Sequence, residues 1–192
     1  HILDPAYYAL ELGAPDWVEA KAEGGSNVAF PDSSEVTYHF PARNGKAAVT
    51  VKWWDGGGKS VPPTPEVLGD TKLAFGNESG GALYFGDKEF VMSDSHASKI
   101  SCIADGKVKP LSAAKKYRRV TGQDHTKDWF AAIRGDIDQA SSSFDYSAGL
   151  TEMVLLGVIA QRLPGKRLNW DGKAGKFTNS EMGNKMLSSA II

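Results

Sequence analysis

Val36, Tyr38 and Phe40 alternate with Thr37 and His39, and shortly afterwards Val49, Val51 and Trp53 alternate with Thr50, Lys52 and Trp54. Between these runs lies PARNGK. Asn44-Gly45 is the pair that a two-residue hairpin turn demands, because both of its central residues must take positive φ, so the two runs should pair antiparallel. Each run has one apolar face to bury, and neighbouring segments carry the same period. Val18, Ala20 and Ala22 alternate with Glu19 and Lys21, ALYFG and KEFVMS flank the turn Gly86-Asp87-Lys88, and SKISCIA reads as one more strand. Together they predict an antiparallel meander of five or six strands.

The second half of the chain changes period. Thr121 with Asp124 forms a capping-box pattern, Trp129, Phe130 and Ile133 make an apolar stripe for the core, and Gly135 ends that helix. The longest helix should run from about Ser147 to Leu163, where Leu150, Met153, Val154, Leu156, Val158 and Ile159 leave so little polar face that it must be buried. RLNWD and GKFTN predict a small final hairpin, and Ser180 a cap on a last short helix. At the other end, HILDPAYYALELGAP predicts a helix capped by Asp4, starting at Pro5 and ending at Leu12, with Leu3 and Tyr8 closing a hydrophobic staple. Strands followed by helices favour an α+β fold, an open, mainly antiparallel sheet with helices on one face. Residues 1–192 read as a single domain with a long Gly/Pro-rich loop at about 55–81, a length unusual without a function such as a lid.

Composition narrows the function classes more than it selects one. With 192 residues, 41% of them hydrophobic, the chain can bury a core, and a formal net charge of -1 provides no global field for nucleic acid or anionic lipid. The segment Lys107 to Arg119 is basic but carries a single aromatic, Tyr117, so it reads as a solvated connector, with no nucleic-acid partner. No apolar run reaches the ~20 residues needed to span a bilayer, so no membrane partner is expected. Cys102 is the one cysteine, which removes intrachain disulfides and CxxC chemistry and suits a buried small side chain, and the four histidines have no metal-ligand spacing. Compartment stays open. A chain that starts with a histidine against a helix entrance reads as a fragment.

Several segments in order carry a resemblance: HILDP, the strand ending in FPAR, WWDGG, the turn FGDK, HTKDWFAAIRG, and SSFDYSAGLTEMVLLG. Together they resemble the carboxy-terminal domain of the Gfo/Idh/MocA oxidoreductases, as found in a group of bacterial dehydrogenases. That resemblance implies an α/β domain with an open sheet, related to the carboxy-terminal type of dihydrodipicolinate reductase and glyceraldehyde-3-phosphate dehydrogenase, and a homo-oligomer formed through the open sheet face. It implies an amino-terminal Rossmann domain, binding NAD or NADP, that this chain does not contain. No GxGxxG and no Glu-Lys-Pro segment occur here, and the aspartate that precedes the family's histidine would fall ahead of residue 1.

That histidine maps onto His1, which the resemblance makes the general acid/base for a substrate hydroxyl, a task an imidazole with an ordinary pKa of ~6.5 suits. A chain-terminal histidine with no task is the alternative. Trp54 and Asp55 could stack on and hydrogen-bond a sugar, or form an ordinary strand end and turn. His125 and Tyr146 are further candidates for substrate contact, Asp145 a cap or a site residue, and Asp4 a cap before a proton carrier. The leading function is the substrate-binding and oligomerisation domain of an NAD(P)-dependent oxidoreductase acting on a sugar, polyol or related carbohydrate. An NAD-dependent glycosidase of the same family and a non-catalytic carbohydrate-binding or assembly module are the alternatives.

Overall fold

The computed structural model describes residues 1–26, 28–56, 80–87, 89–104, 107–111 and 118–188. Most of the long loop, Lys88 of the second turn, and Lys115 and Lys116 of the basic segment lie outside the described residues. The chain forms two compact units, His1–Leu10 with Thr64–Ala148, and Glu11–Pro63 with Gly149–Ile192. The class is α+β with two antiparallel sheets in place of one meander.

In the second unit, β1 (Trp17–Glu23), β2 (Ser33–Phe40), β3 (Val49–Asp55), β8 (Leu168–Asp171) and β9 (Lys176–Phe177) form a five-stranded sheet in the order β3-β2-β1-β8-β9. The Asn44-Gly45 turn has the geometry its residues demand. Both have positive φ, 48° and 74°, and Arg43 and Lys46 exchange backbone hydrogen bonds of 3.0 and 2.7 Å across it. Register then follows. Val36 faces Trp53, Tyr38 faces Val51, and Val18 of β1 faces Tyr38. One face of the sheet carries Val18, Ala20, Val36, Tyr38 and Phe40, none more than 3% exposed.

That face is covered by the part of α3 (Phe144–Arg162) from Gly149 onward. Gly157 sits against the Tyr38 hydroxyl, the Gln161 amide donates to Ser34 Oγ at 2.7 Å, and Glu152 accepts from the Trp170 indole at 2.8 Å. Met153, Leu156, Ile159 and Ala160 are buried, but Val154 and Leu155 stay exposed, so the helix is not buried all round as its composition suggests. The opposite sheet face is polar. Glu35 lies between Lys21 and Lys52 at 3.8 and 3.7 Å, and Arg167 meets Glu19 while its guanidinium lies 3.8 Å over the Trp17 ring. A last hairpin, β8 with β9, leads to α4 (Glu181–Ser188), where Ser180 Oγ accepts from the Gly183 N–H as a cap should.

The first unit contains a four-stranded antiparallel sheet in chain order, β4 (Gly81–Phe85), β5 (Phe90–Asp94), β6 (Ile100–Ala104) and β7 (Lys107–Pro110). The basic segment therefore begins as a strand, a pairing that its Lys and Pro content obscured. Cys102 is buried on β6 with its thiol donating to Glu89 at 2.9 Å, and that bond, with burial, pushes the thiol pKa up. Helix α1 (Leu3–Ala9) is shorter than expected and starts before Pro5. Its cap residue, Ile2, makes no side-chain cap bond, so Asp4 lies in the first turn and is not the cap. Helix α2 (His125–Arg134) is capped by Asp124 itself, which accepts from Lys127 N at 3.0 Å, and ends on Gly135 at φ 78°. The expected core stripe of this helix is on the surface, with Trp129 58% and Ile133 62% exposed.

What α2 buries instead is a carboxylate. The Asp128 side chain, 3% exposed, accepts from Arg118 at 2.5 Å and from the Ser141 backbone N–H and hydroxyl at 2.8 and 2.9 Å. Arg118 first, then the Ser141 N–H, hold its carboxyl far below the usual carboxylate range. A pKa lowered by folding contributes stability that is complete above the unfolded value of ~3.9 and is lost as pH falls toward the folded one. The unfolding midpoint should therefore decline on acidification below about pH 4, and Asp128→Asn should lower the midpoint at pH 7 and flatten that decline. Thermal melts of the two proteins across the acid range check this, and parallel curves would show that the carboxylate carries no such linkage.

Candidate functional site

The entrance of α1 gathers several proton-bearing side chains of the first unit. Ile2 begins the helix, and Gly80, at φ 98°, lets the chain pass so close that a Cβ there would lie 2.9 Å from the Ile2 terminal carbon. One turn in, Asp4 accepts a hydrogen bond on Oδ1 from the Tyr146 hydroxyl, joining positions separated by 142 residues. Tyr7 and Tyr8 meet the Tyr146 ring edge-on, with centroids at 5.9 and 5.8 Å. A carboxylate in the first turn is also favoured by the partial positive charge of the exposed helix N–H groups.

Electrostatics at this entrance favour the protonated forms of Tyr146 and Tyr84. Burial, then the hydrogen bond to Asp4 and its charge, push Tyr146 above the ordinary tyrosine value, and burial and Asp4 likewise push Tyr84 up. Asp4 Oδ2 has no hydrogen-bond partner among the described residues, so the carboxylate keeps one acceptor for a ligand hydroxyl.

His1 precedes this turn and is exposed. Its ring lies 5.0 Å from that of His96, tilted by 32°, and His96 Nδ1 shares a 2.8 Å hydrogen bond with the Ser95 hydroxyl. The tight connection from β5 to β6 fixes His96. Asp94 accepts from the Ser98 N–H at 2.7 Å, the Ala97 N–H returns to the Asp94 carbonyl at 3.1 Å, and Ala97 takes φ 50°. Two imidazoles therefore lie together where an exposed hydroxyl compound can reach His1.

The other sequence candidates divide. Tyr146 belongs to the α1 entrance, as described. His125 is exposed at the start of α2, and no hydrogen bond or ring contact joins it to His1, Asp4 or Tyr146. Trp54 and Asp55 cannot grip one ligand as a pair. Successive strand residues point to opposite faces, and register puts Trp54 beside Glu35 on the polar face but Asp55 beside Ser34 under α3. Asp55 is already engaged, accepting from the Ser34 hydroxyl at 2.9 Å and the Trp53 indole at 3.0 Å. Asp4 and His96 were missed as site residues. The Asp-Pro pair pointed to a cap, and nothing near His96 in sequence shows that the β5–β6 turn returns to residue 1.

No group of three or more His, Cys, Asp or Glu side chains able to hold a metal occurs among the described residues. Every strand ladder among them is antiparallel, so they contain no parallel strand-turn-helix unit to cradle a dinucleotide pyrophosphate. No helix among them is long and apolar enough to cross a membrane. Compared with protein-family models and with curated proteins, the sequence matches none.

Proposed function

We propose that this chain is the substrate-binding and oligomerisation part of an NAD(P)-dependent oxidoreductase acting on a sugar, polyol or related carbohydrate, with a fold of the Gfo/Idh/MocA carboxy-terminal type. The observation that carries the reading is the hydrogen bond from Tyr146 to Asp4, one helical turn after His1. It holds a carboxylate with an open acceptor against a neutral phenol, and His1, three residues before that carboxylate in the chain, has its ring beside that of His96. Vicinal hydroxyls need acceptors of this kind, and a hydroxyl undergoing oxidation needs a base for its proton. His1 takes that role, because an imidazole nitrogen can accept a hydroxyl proton and return it. Asp4 accepts a neighbouring substrate hydroxyl on Oδ2, and Tyr146 holds the carboxylate in place through Oδ1.

The hydride chemistry belongs to NAD or NADP, held in this reading by a Rossmann domain outside the chain. The same reading makes the protein a homo-oligomer through a sheet face. On the five-stranded sheet the face turned away from α3 carries Glu19, Lys21, Glu35, Lys52 and Arg167, so any contact there is polar and salt-sensitive.

The test is fluorescence titration of the complete gene product with NADH and NADPH, followed by a screen of sugars and polyols for a change in nicotinamide absorbance. Binding of one cofactor and sugar-dependent reduction of its oxidised form are the expected results. Failure to bind either cofactor would overturn the reading.

A further inference from the structure

The second unit holds a cleft of about 290 Å³ that the oxidoreductase reading does not use. It lies between the turn joining β1 to β2 and the last turn of α3, lined among others by Gly24, Ser26, Phe30, Val158, Gln161 and Arg162. We propose that this cleft is a binding site for a single sugar or cyclic polyol ring. The inference stands independently of the oxidoreductase reading.

The chemistry of the walls selects this class. Phe30 is 65% exposed and provides a flat apolar surface. A pyranose has an axial-hydrogen face that stacks on such a ring and a rim of hydroxyls that need both donors and acceptors. Ser26 Oγ accepts from the Val28 and Ala29 N–H groups at 3.3 and 3.0 Å, which fixes the hydroxyl and leaves its proton to donate. Gln161 Nε2 donates to Ser34 Oγ, whose own hydroxyl donates to Asp55, so the amide is held by a chain of bonds. With its nitrogen so engaged, the amide oxygen serves as an acceptor at the cleft.

The last turn of α3 lines the cleft, and the carbonyl end of a helix disfavours an anion, which favours a neutral ligand. The volume is at the small end for ligand sites, enough for one ring and too little for a dinucleotide. The backbone is built for the opening. Gly24 has φ 74° and a Cβ there would lie 2.5 Å from the Asp32 carboxylate, so only glycine lets the turn fold back on itself. The Asp32 N–H then closes the turn on the Glu23 carbonyl at 2.8 Å.

The experiment is titration of the isotopically labelled chain with glucose, galactose and myo-inositol at millimolar concentrations, observed by two-dimensional NMR. The expected result is a saturable shift, with at least one of the three, of the backbone signals of Ser26, Ala29 and Phe30 and of the Gln161 side-chain amide. Phe30→Ala, at an exposed position, should weaken that binding about tenfold or more, and Gln161→Leu should do the same with the other strand signals in place. Asp4→Asn should leave it unchanged, which separates this site from the α1 entrance. Absence of shifts in residues 24–31 and 158–164 with all three compounds would overturn the proposal. So would binding that Phe30→Ala and Gln161→Leu both leave intact.

Discussion

Gly157→Ala should destabilise the protein, although alanine in a helix is ordinarily the more stable residue by ~1 kcal/mol. A Cβ at this position of α3 would lie 1.9 Å from the Tyr38 hydroxyl oxygen and 2.9 Å from the ring carbon bearing it. Tyr38 cannot step aside. It is 3% exposed on β2, between β1 and β3, with Val18 and Val51 as cross-strand neighbours. Overpacking costs about 1–3 kcal/mol, and an approach of 1.9 Å belongs to the upper part of that range, about 2–3 kcal/mol, so the clash outweighs the helix preference and leaves a net loss of about 1–2 kcal/mol. For a chain of this size that is a fall in midpoint of roughly 2–8 °C. Tyr38→Phe removes the atom in closest conflict, so the cost of Gly157→Ala should shrink in that background. Thermal melts of the four proteins of this cycle measure the coupling. A stabilised Gly157→Ala, or equal costs in both backgrounds, would show that α3 does not rest on Tyr38.

On the proposed oxidoreductase reading, His1→Ala in the complete gene product should lower turnover by roughly 10²–10⁴-fold, the usual worth of a positioned acid or base. Tyr146→Phe should act differently, because its hydroxyl donates to Asp4 and not to substrate. Without that bond the carboxylate loses its orientation, so the expected change is a higher KM, with a smaller loss in kcat than His1→Ala causes. Steady-state kinetics of the two variants separate these roles. A His1→Ala enzyme with unchanged kcat would remove His1 from the chemistry.

Local signals explain which parts of the fold were legible. The Asn44-Gly45 hairpin, the alternation of β1, the Gly135 stop and the Ser180 cap each depend on residues a few positions apart, and each stands as read. What failed depended on partners far along the chain. Val18 pairs with Leu168 as well as Tyr38, which carries β1 into a sheet with the chain's last strands and leaves β4 to β7 to form their own. Trp129 and Ile133 looked like a core stripe because periodicity reports a face and not what covers it.

The candidate site was half legible for the same reason. His1 and Tyr146 stood out by residue type and by the resemblance that quotes their segments. Asp4 was hidden because an aspartate before proline explains itself locally as a cap, whereas here it turns to a tyrosine 142 positions away. His96 was hidden because only the folded β5–β6 turn brings it to His1. Trp54 and Asp55 show the reverse error, adjacent in sequence and therefore on opposite faces of a strand.

The central claim is that the α1 entrance receives a hydroxylated substrate, and aromatic-region NMR of the labelled chain during a sugar and polyol titration tests it most directly. The expected result is a saturable shift of the His1, His96 and Tyr146 ring signals that Asp4→Asn abolishes. Ring signals that stay fixed while the same compounds saturate the cleft at Phe30, or that move identically in Asp4→Asn, would contradict it.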